Sequence, residues 1–177
     1  PETGSILSVA EALTNLVWAP IEQGLGGVSL SANWMWPCRN EGEDARLYQA
    51  VKAMSDFAIA LGINIPTGKD SLSMTQKYPG GDTVMAPGTV IISAVAEVSD
   101  IRKVISPVLK ESFTSSLVYI DFSKCENNLG GSSFAQALNK LGGNTPEIKD
   151  SGYFQLCFEA VQELINKDML LAGHDIS

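Results

Sequence analysis

The segment at residues 89–98, TVIISAVAEV, restricts the fold more than any other part of the chain. It is β-branched and almost wholly apolar, a pattern that predicts a strand buried on both faces of a sheet. Upstream, residues 5–19 repeat apolar side chains at helical spacing, and a second helix begins near Gly42 and ends at Gly62. Strands buried on both faces are typical of sheets covered by helices, so we predict an α/β chain with α+β-like mixed sheets.

The other predicted elements continue this alternation. They are a short strand at 63–66 that enters a loop, a turn-rich surface connection at 77–88, a junction at 99–116, a strand at 117–123, a Gly-Gly turn feeding a helix within 128–142, and a helix at about 153–171. Because the order restarts with a strand after the junction, we expect a second unit to begin there.

Charge and hydropathy disfavour several classes of protein. The net charge is −8 and the pI is near 4.6, and no cluster of Lys and Arg offers a footprint for a phosphate backbone, so general nucleic-acid binding is disfavoured. No apolar run approaches the ~20 residues of a membrane span, and the N-terminus has no signal-peptide pattern. Both ends of the sequence look cut, which suggests a piece of a longer protein.

The three cysteines, Cys38, Cys125 and Cys157, are far apart and form no metal-type or redox pair. Without an export signal they are expected to be reduced thiols, and a structural role is favoured over a nucleophilic one. These features together predict a cytoplasmic protein.

The stretch NIPTGKDSLSM, residues 64–74, places Gly-Lys next to Asp-Ser. It is not a P-loop, because five residues separate Gly62 from Gly68 where a P-loop has four, and Asp70 follows Lys69 where a P-loop needs Ser or Thr. Two interpretations stay open: Lys69 contacts a phosphate, or it pairs with Asp70 in a turn without chemical purpose.

Other polar groups could bind a cation or an anion. Glu11 and Asn15 lie one turn apart, almost opposite the apolar face of the first helix, and two oxygen donors so placed suit Mg²⁺. The C-terminal HDIS offers Asp175 beside the only histidine, and NLGGSS at 128–133 resembles an anion-binding helix start. On spacing alone, the simpler explanations are favoured: a solvated helix face for Glu11 and Asn15, a polar strand end for HDIS, and an ordinary helix cap for NLGGSS.

Taken together and in order, several motifs resemble phosphoribosylformylglycinamidine synthase of the large single-chain type. They are AEALTNL, SANWMW, GEDARLYQAV, IPTGKDSLSM, APGTVIISAVAEV, LGGSS and HDIS. GEDARLYQAV and IPTGKDSLSM are specific to that family. LGGSS and HDIS are shared with the superfamily that includes aminoimidazole ribonucleotide synthetase and selenophosphate synthetase.

The resemblance implies a fold and a division of the chain. Residues 1–106 would be most of the second N-type synthetase domain, and residues 107–177 the start of the second C-type domain. The implied partners are the remaining synthetase domains and the glutaminase domain of the same polypeptide. The sheet surface left bare without the neighbouring domain predicts self-association.

The resemblance also implies an activity and site residues. The family converts formylglycinamide ribonucleotide and glutamine to formylglycinamidine ribonucleotide with ATP, in purine biosynthesis. Glu11, Asn15 and Asp175 match Mg²⁺ ligands, Ser177 matches a nucleotide contact, and the site is expected to hold ADP structurally. One further metal ligand would lie upstream of Pro1. No catalytic residue is expected here, so the chain by itself would be inactive.

Lys69 and Asp70 are expected to order the loop near the central ligand cleft. Three alternatives remain on sequence alone: a related ATP-using enzyme such as aminoimidazole ribonucleotide synthetase, which GEDARLYQAV disfavours, a non-catalytic nucleotide-binding module, and an interaction domain.

Overall fold

A computed structural model describes residues 1–176. Its regular elements are α1 (Glu2–Leu16), β1 (Ser29–Met35), α2 (Glu43–Leu61), β2 (Asn64–Ser71), β3 (Thr75–Lys77), β4 (Thr83–Met85), β5 (Thr89–Val95), α3 (Ser133–Ala137) and α4 (Ser151–Asn166). Short 3₁₀ turns occupy Gly24–Gly27 and Ile101–Lys103. Within the described chain no helix is long and apolar enough to cross a membrane.

The main sheet has the strand order β2-β1-β5. β1 pairs with β2 in parallel and with β5 in antiparallel orientation, and β3 and β4 form a separate hairpin. The predicted α/β fold with mixed sheets is therefore confirmed.

The core lies on one face of this sheet. β1 alternates buried and half-buried residues, and its inward side chains Leu30, Ala32 and Trp34 meet the apolar faces of α1 and α2. The Trp34 ring lies 6.2 Å from that of Trp36, measured between centroids. We call the opposite face, which carries the following residues, the outer sheet face: Ser31, Asn33, Met35, Thr67, Lys69, Ser71, Thr89, Ile91, Ser93 and Val95.

Helix α4 packs into the same core although it lies in the second predicted unit. Its apolar positions recur at helical spacing and are buried: Phe154, Cys157, Phe158, Val161 and Ile165. The Phe154 ring makes edge contacts with Phe57 of α2 at 5.7 Å and with Phe122 at 5.1 Å. Asp150 caps the start of this helix, and its side chain accepts a hydrogen bond from the Tyr153 N–H.

The prediction that residues 89–98 form a strand buried on both faces was wrong about its burial. The strand is β5, and its inward residues Val90, Ile92 and Ala94 are half-buried against the core. Ile91 and Val95 on the outer sheet face are 53% and 67% exposed. Among the described residues helices cover one face of the sheet, and β5 is one of its two edge strands, so the second apolar side of β5 stays open.

The TGKDSLSM stretch was predicted as a loop, but most of it belongs to β2. The parallel pairing runs to Met35 and Ser71 and places Gly68 against Ala32. A Cβ at residue 68 would lie 2.2 Å from the Ala32 carbonyl oxygen, so glycine is needed for the backbones to approach this closely. Strand pairing overrides the turn-like composition of this segment.

Four other predicted elements differ from the structure in length or type. Residues 117–123 form no strand and join no sheet of the described chain, and Leu117 is 97% exposed. The helix predicted within 128–142 is the short α3, and α4 ends before the predicted 171. The predicted surface connection at 77–88 forms part of the β3–β4 hairpin, closed by a hydrogen bond of 2.9 Å from the Tyr78 N–H to the Asp82 carbonyl.

Candidate metal and nucleotide site

Helix α1 places Glu11 and Asn15 side by side on its exposed face. The opposite face is fixed in the core by Val9, Ala10 and Leu13. Asn15 Nδ2 donates to the Glu11 carbonyl at 2.9 Å and to Glu11 Oε1 at 3.1 Å. The structure therefore brings together two of the predicted ligands, and the packing of the helix determines their direction.

A groove of about 510 Å³ runs between this pair and the edge strand β5. Its lining combines apolar side chains, among them Leu16 from α1 and Ile92 from β5, with the polar pair Glu11 and Asn15. An apolar surface beside a few convergent polar groups is typical of ligand sites. This groove can accommodate a ligand with one apolar part and one charged part held through a cation.

Asp175 lies in the C-terminal segment, which returns to the end of α1. Gly173 packs against the Trp18 ring, and its N–H donates to the Ser106 carbonyl at 3.2 Å. The Asp175 side chain is 12% exposed, with Oδ1 3.2 Å from His174 Nδ1. The segment that carries Asp175 thus packs beside Trp18, which lies three residues after Asn15. Ser177 lies outside the described residues.

The chemistry of these donors fits Mg²⁺. Carboxylate and amide oxygens are hard ligands, and Mg²⁺ completes its shell with water and phosphate oxygens. Among residues 1–176 no three His, Cys, Asp or Glu side chains form a metal-binding group. Glu11 and Asn15 are therefore suited to serve as a half-site that requires further oxygen ligands.

Lys69 and Asp70 do not belong to this site. Lys69 is on the outer sheet face beside Asn33, and its Nζ donates to Ser71 Oγ at 3.0 Å. Asp70 pairs in register with Trp34 and points to the opposite face, because successive strand residues alternate. This geometry contradicts both the turn with a Lys69–Asp70 pair and the expected ordering of a loop.

The NLGGSS motif acts as a helix cap. Ser132 Oγ accepts a hydrogen bond from the Ala135 N–H at 3.1 Å and donates to the Leu129 carbonyl at 2.6 Å. The helix that follows has five residues, too few to provide a useful dipole for an anion. Capping therefore explains why these residues occur here.

The cysteines show no nucleophilic arrangement. Burial raises the pKa of the Cys38 thiol, with further contributions from the nearby carboxylates of Asp44 and Glu43. Burial also raises the pKa of the Cys157 thiol. A raised pKa keeps a thiol protonated at neutral pH, which favours the predicted structural role of these two residues. All three cysteines are free thiols.

Gln162 is a residue that the sequence analysis missed. It is buried on α4 and hydrogen-bonds the backbone that follows α1. The available signal was a polar residue within the apolar stripe of an amphipathic helix.

Comparison with known proteins identifies the family. Residues 1–97 match the FGAR-AT PurM_N-like domain. A probable phosphoribosylformylglycinamidine synthase, chloroplastic/mitochondrial, of Arabidopsis thaliana is 42% identical over 178 residues, covering 100% of this chain and 12% of that protein. The phosphoribosylformylglycinamidine synthase of Dictyostelium discoideum is 41% identical over 182 residues, covering 97% of this chain and 13% of that protein.

A third relative, a probable phosphoribosylformylglycinamidine synthase of Caenorhabditis elegans, is 38% identical over 187 residues, covering 99% of this chain and 14% of that protein. The chain thus spans 12–14% of the length of these relatives. The resemblance inferred from the motifs is confirmed, and the chain belongs to the FGAR-AT PurM_N-like domain family.

Proposed function

We propose that this chain is the part of a phosphoribosylformylglycinamidine synthase that holds a structural Mg²⁺–ADP, away from the reaction centre. The contact between Glu11 and Asn15 at the rim of the α1–β5 groove is the observation that carries this proposal. Glu11 supplies a carboxylate oxygen. Asn15 supplies its amide oxygen once the amide turns away from Glu11.

Two ligands come from the C-terminal segment. Asp175 supplies a further carboxylate, and Ser177 contacts the nucleotide. The packing of Gly173 against Trp18 supports this arrangement, since it brings the C-terminal segment to the turn that follows α1. In this division residues 1–106 form the N-type domain and residues 107–177 the start of the C-type domain, and both contribute to one site.

The whole protein is proposed to be an ATP-dependent carbon–nitrogen ligase of purine biosynthesis. It uses glutamine as the amide donor and formylglycinamide ribonucleotide as the substrate. The names of the three relatives support this activity. Glutamine would be hydrolysed in a glutaminase domain elsewhere in the same polypeptide, which acts with the remaining synthetase domains as the partner of this chain.

The residues of this chain would bind and orient Mg²⁺ and the nucleotide, and would take no part in the chemical reaction. Bound Mg²⁺ neutralises the charge of nucleotide phosphates. No catalytic residue is assigned, so the chain alone would be inactive. Three free thiols fit the reducing conditions of the cytoplasm, which is the proposed location.

Calorimetric titration of Mg²⁺–ADP into the chain tests this proposal. We expect binding by the wild type and a loss of at least tenfold in affinity for Glu11→Ala. Glu2→Ala is the matched control, because it removes the same residue type from the other end of α1, and it should bind as the wild type does. Equal binding by Glu11→Ala, or no binding by the wild type, would overturn the half-site and leave the family membership intact.

A further inference from the structure

The side chain of Gln162 forms hydrogen bonds with the backbone of residues 17–21, the turn that follows α1. Its side chain is 7% exposed, and Ser5 is the other buried polar residue of the described chain. Nε2 donates to the carbonyls of Val17 at 2.6 Å and Ala19 at 3.0 Å, and Oε1 accepts from the Ile21 N–H at 2.8 Å. These three side-chain hydrogen bonds of Gln162 therefore all go to the turn that follows α1.

The three bonds explain why the residue is a glutamine. The carbonyls of Val17 and Ala19 lie past the end of α1, where no further helical N–H is available to them. A primary amide can donate twice and accept once at the same time, and its charge does not change with pH. Gln162 thus caps α1 from a helix more than 140 residues away in the sequence.

The same turn receives the C-terminal segment. The Trp18 carbonyl accepts from the Ile105 N–H at 2.8 Å, and the next residue along, Ser106, accepts from the Gly173 N–H. A Cβ at residue 173 would lie 2.1 Å from Trp18 Cζ3, so this docking leaves no room for a side chain there.

The candidate ligands flank these contacts. Asn15 precedes Val17 by two residues, and Asp175 follows Gly173 by two. The turn therefore links the end of α1 that carries Asn15 to the segment that carries Asp175. A shift of the turn would move Asn15 relative to that segment.

We propose that Gln162 is a positioning residue of the Mg²⁺–ADP half-site, which fixes the turn after α1 so that Glu11, Asn15 and Asp175 face one cation. This inference rests on the proposed function. Gln162 itself touches neither the cation nor the nucleotide.

The test uses Mn²⁺ as a paramagnetic substitute for Mg²⁺. Titration of Mn²⁺ in the presence of ADP, followed by the electron paramagnetic resonance signal of free Mn²⁺, gives the affinity of the folded chain. Gln162→Met preserves much of the side-chain volume and removes all three hydrogen bonds. We expect it to weaken Mn²⁺ binding at least tenfold at a temperature where circular dichroism shows it folded.

Gln155→Met is the matched control on the same helix. The Gln155 side-chain amide donates to Glu159 on the same helix, away from the turn that follows α1, so its replacement should leave the affinity unchanged. A merely structural role for Gln162 would lower the melting temperature of Gln162→Met and leave the affinity of its folded form equal to that of the control.

Gly173→Ala disturbs the contact between the C-terminal segment and Trp18 without removing a polar group. This variant also provides the test if Gln162→Met fails to fold. Its methyl group would displace Trp18, and we expect a similar loss of Mn²⁺ affinity. Wild-type affinity in a folded Gly173→Ala and in Gln162→Met would overturn the positioning role while the half-site stands. Failure of the wild type to bind Mn²⁺ and ADP would overturn the half-site, and the positioning role with it.

Discussion

Residues 1–106 and residues 107–149 differ sharply in how they bury apolar side chains. The first region has a closed core on one face of a sheet, whereas the second leaves Leu109, Phe113 and Leu117 more than 80% exposed. α4 follows the exposed region, yet its Phe154 and Phe158 are 0% exposed because the first region covers them. Helix α4 thus packs into the same core as α1, β1 and α2.

The largest expected change in stability comes from removing the Phe154 ring. Its ring joins Phe57 of the first region to Phe122 of the second. Phe154→Ala should lower the free energy of unfolding by about 3–5 kcal/mol, because it opens a cavity in the shared core. Phe113→Ala should change it by less than about 0.5 kcal/mol, since that ring is exposed. Urea denaturation measures both, and similar losses would contradict the distinction.

A smaller effect is expected from adding a methyl group inside the first region. Gly68→Ala should cost about 1–3 kcal/mol, because its Cβ would meet the Ala32 carbonyl oxygen. Gly142→Ala in the second region meets nothing within 4 Å and should leave stability almost unchanged. Thermal unfolding of the two variants compares them directly. An equally stable Gly68→Ala would show that β2 can shift away from β1.

The open surfaces of the two regions should also behave differently in association. Ile91 lies on the flat outer sheet face next to a free strand edge, a surface that pairs readily with another copy. Ile91→Asp should lower the mass measured by light scattering at high concentration more than Leu117→Asp, which changes an irregular segment. A wild-type chain that is monomeric at high concentration would disprove the self-association.

The smallest effect concerns the junction between the regions. Hydrogen bonds from the Arg102 side chain lower the pKa of the Asp100 carboxyl from 3.8 to about 2. Because the folded pKa is depressed, the stabilisation is complete above the unfolded value near 3.8 and is lost as the pH falls through about 2. A carbon-13 titration of Asp100 should show this midpoint, and Arg102→Gln should return it towards 3.8. An unchanged midpoint in that variant would exclude Arg102 as the cause.

Sequence patterns predicted local structure well where the causes were local. Helix α2 ends at Gly62 as expected, because its φ of +70° is left-handed and its N–H bonds to the carbonyls of Ala58 and Ile59. The side-by-side placement of Glu11 and Asn15 likewise follows from helical spacing alone.

Features that depend on distant partners were predicted poorly. The strand character of residues 67–71 comes from pairing with β1 and opposes their turn-like composition. The apolar stretch 117–123 looks like a strand but pairs with no strand of the described chain. Gln162 bonds a segment more than 140 residues away, so no local pattern indicates which backbone groups it meets.

The placement of the tryptophans has an optical consequence. All three, Trp18, Trp34 and Trp36, lie in the first region, and the last two are buried side by side. Tryptophan fluorescence therefore reports the sheet core through Trp34 and Trp36, and the docking of α4 and Gly173 at the turn after α1 through Trp18. A partial change in tryptophan fluorescence that accompanies the loss of helical far-ultraviolet signal would show α4 leaving Trp18 while the sheet core around Trp34 and Trp36 remains folded.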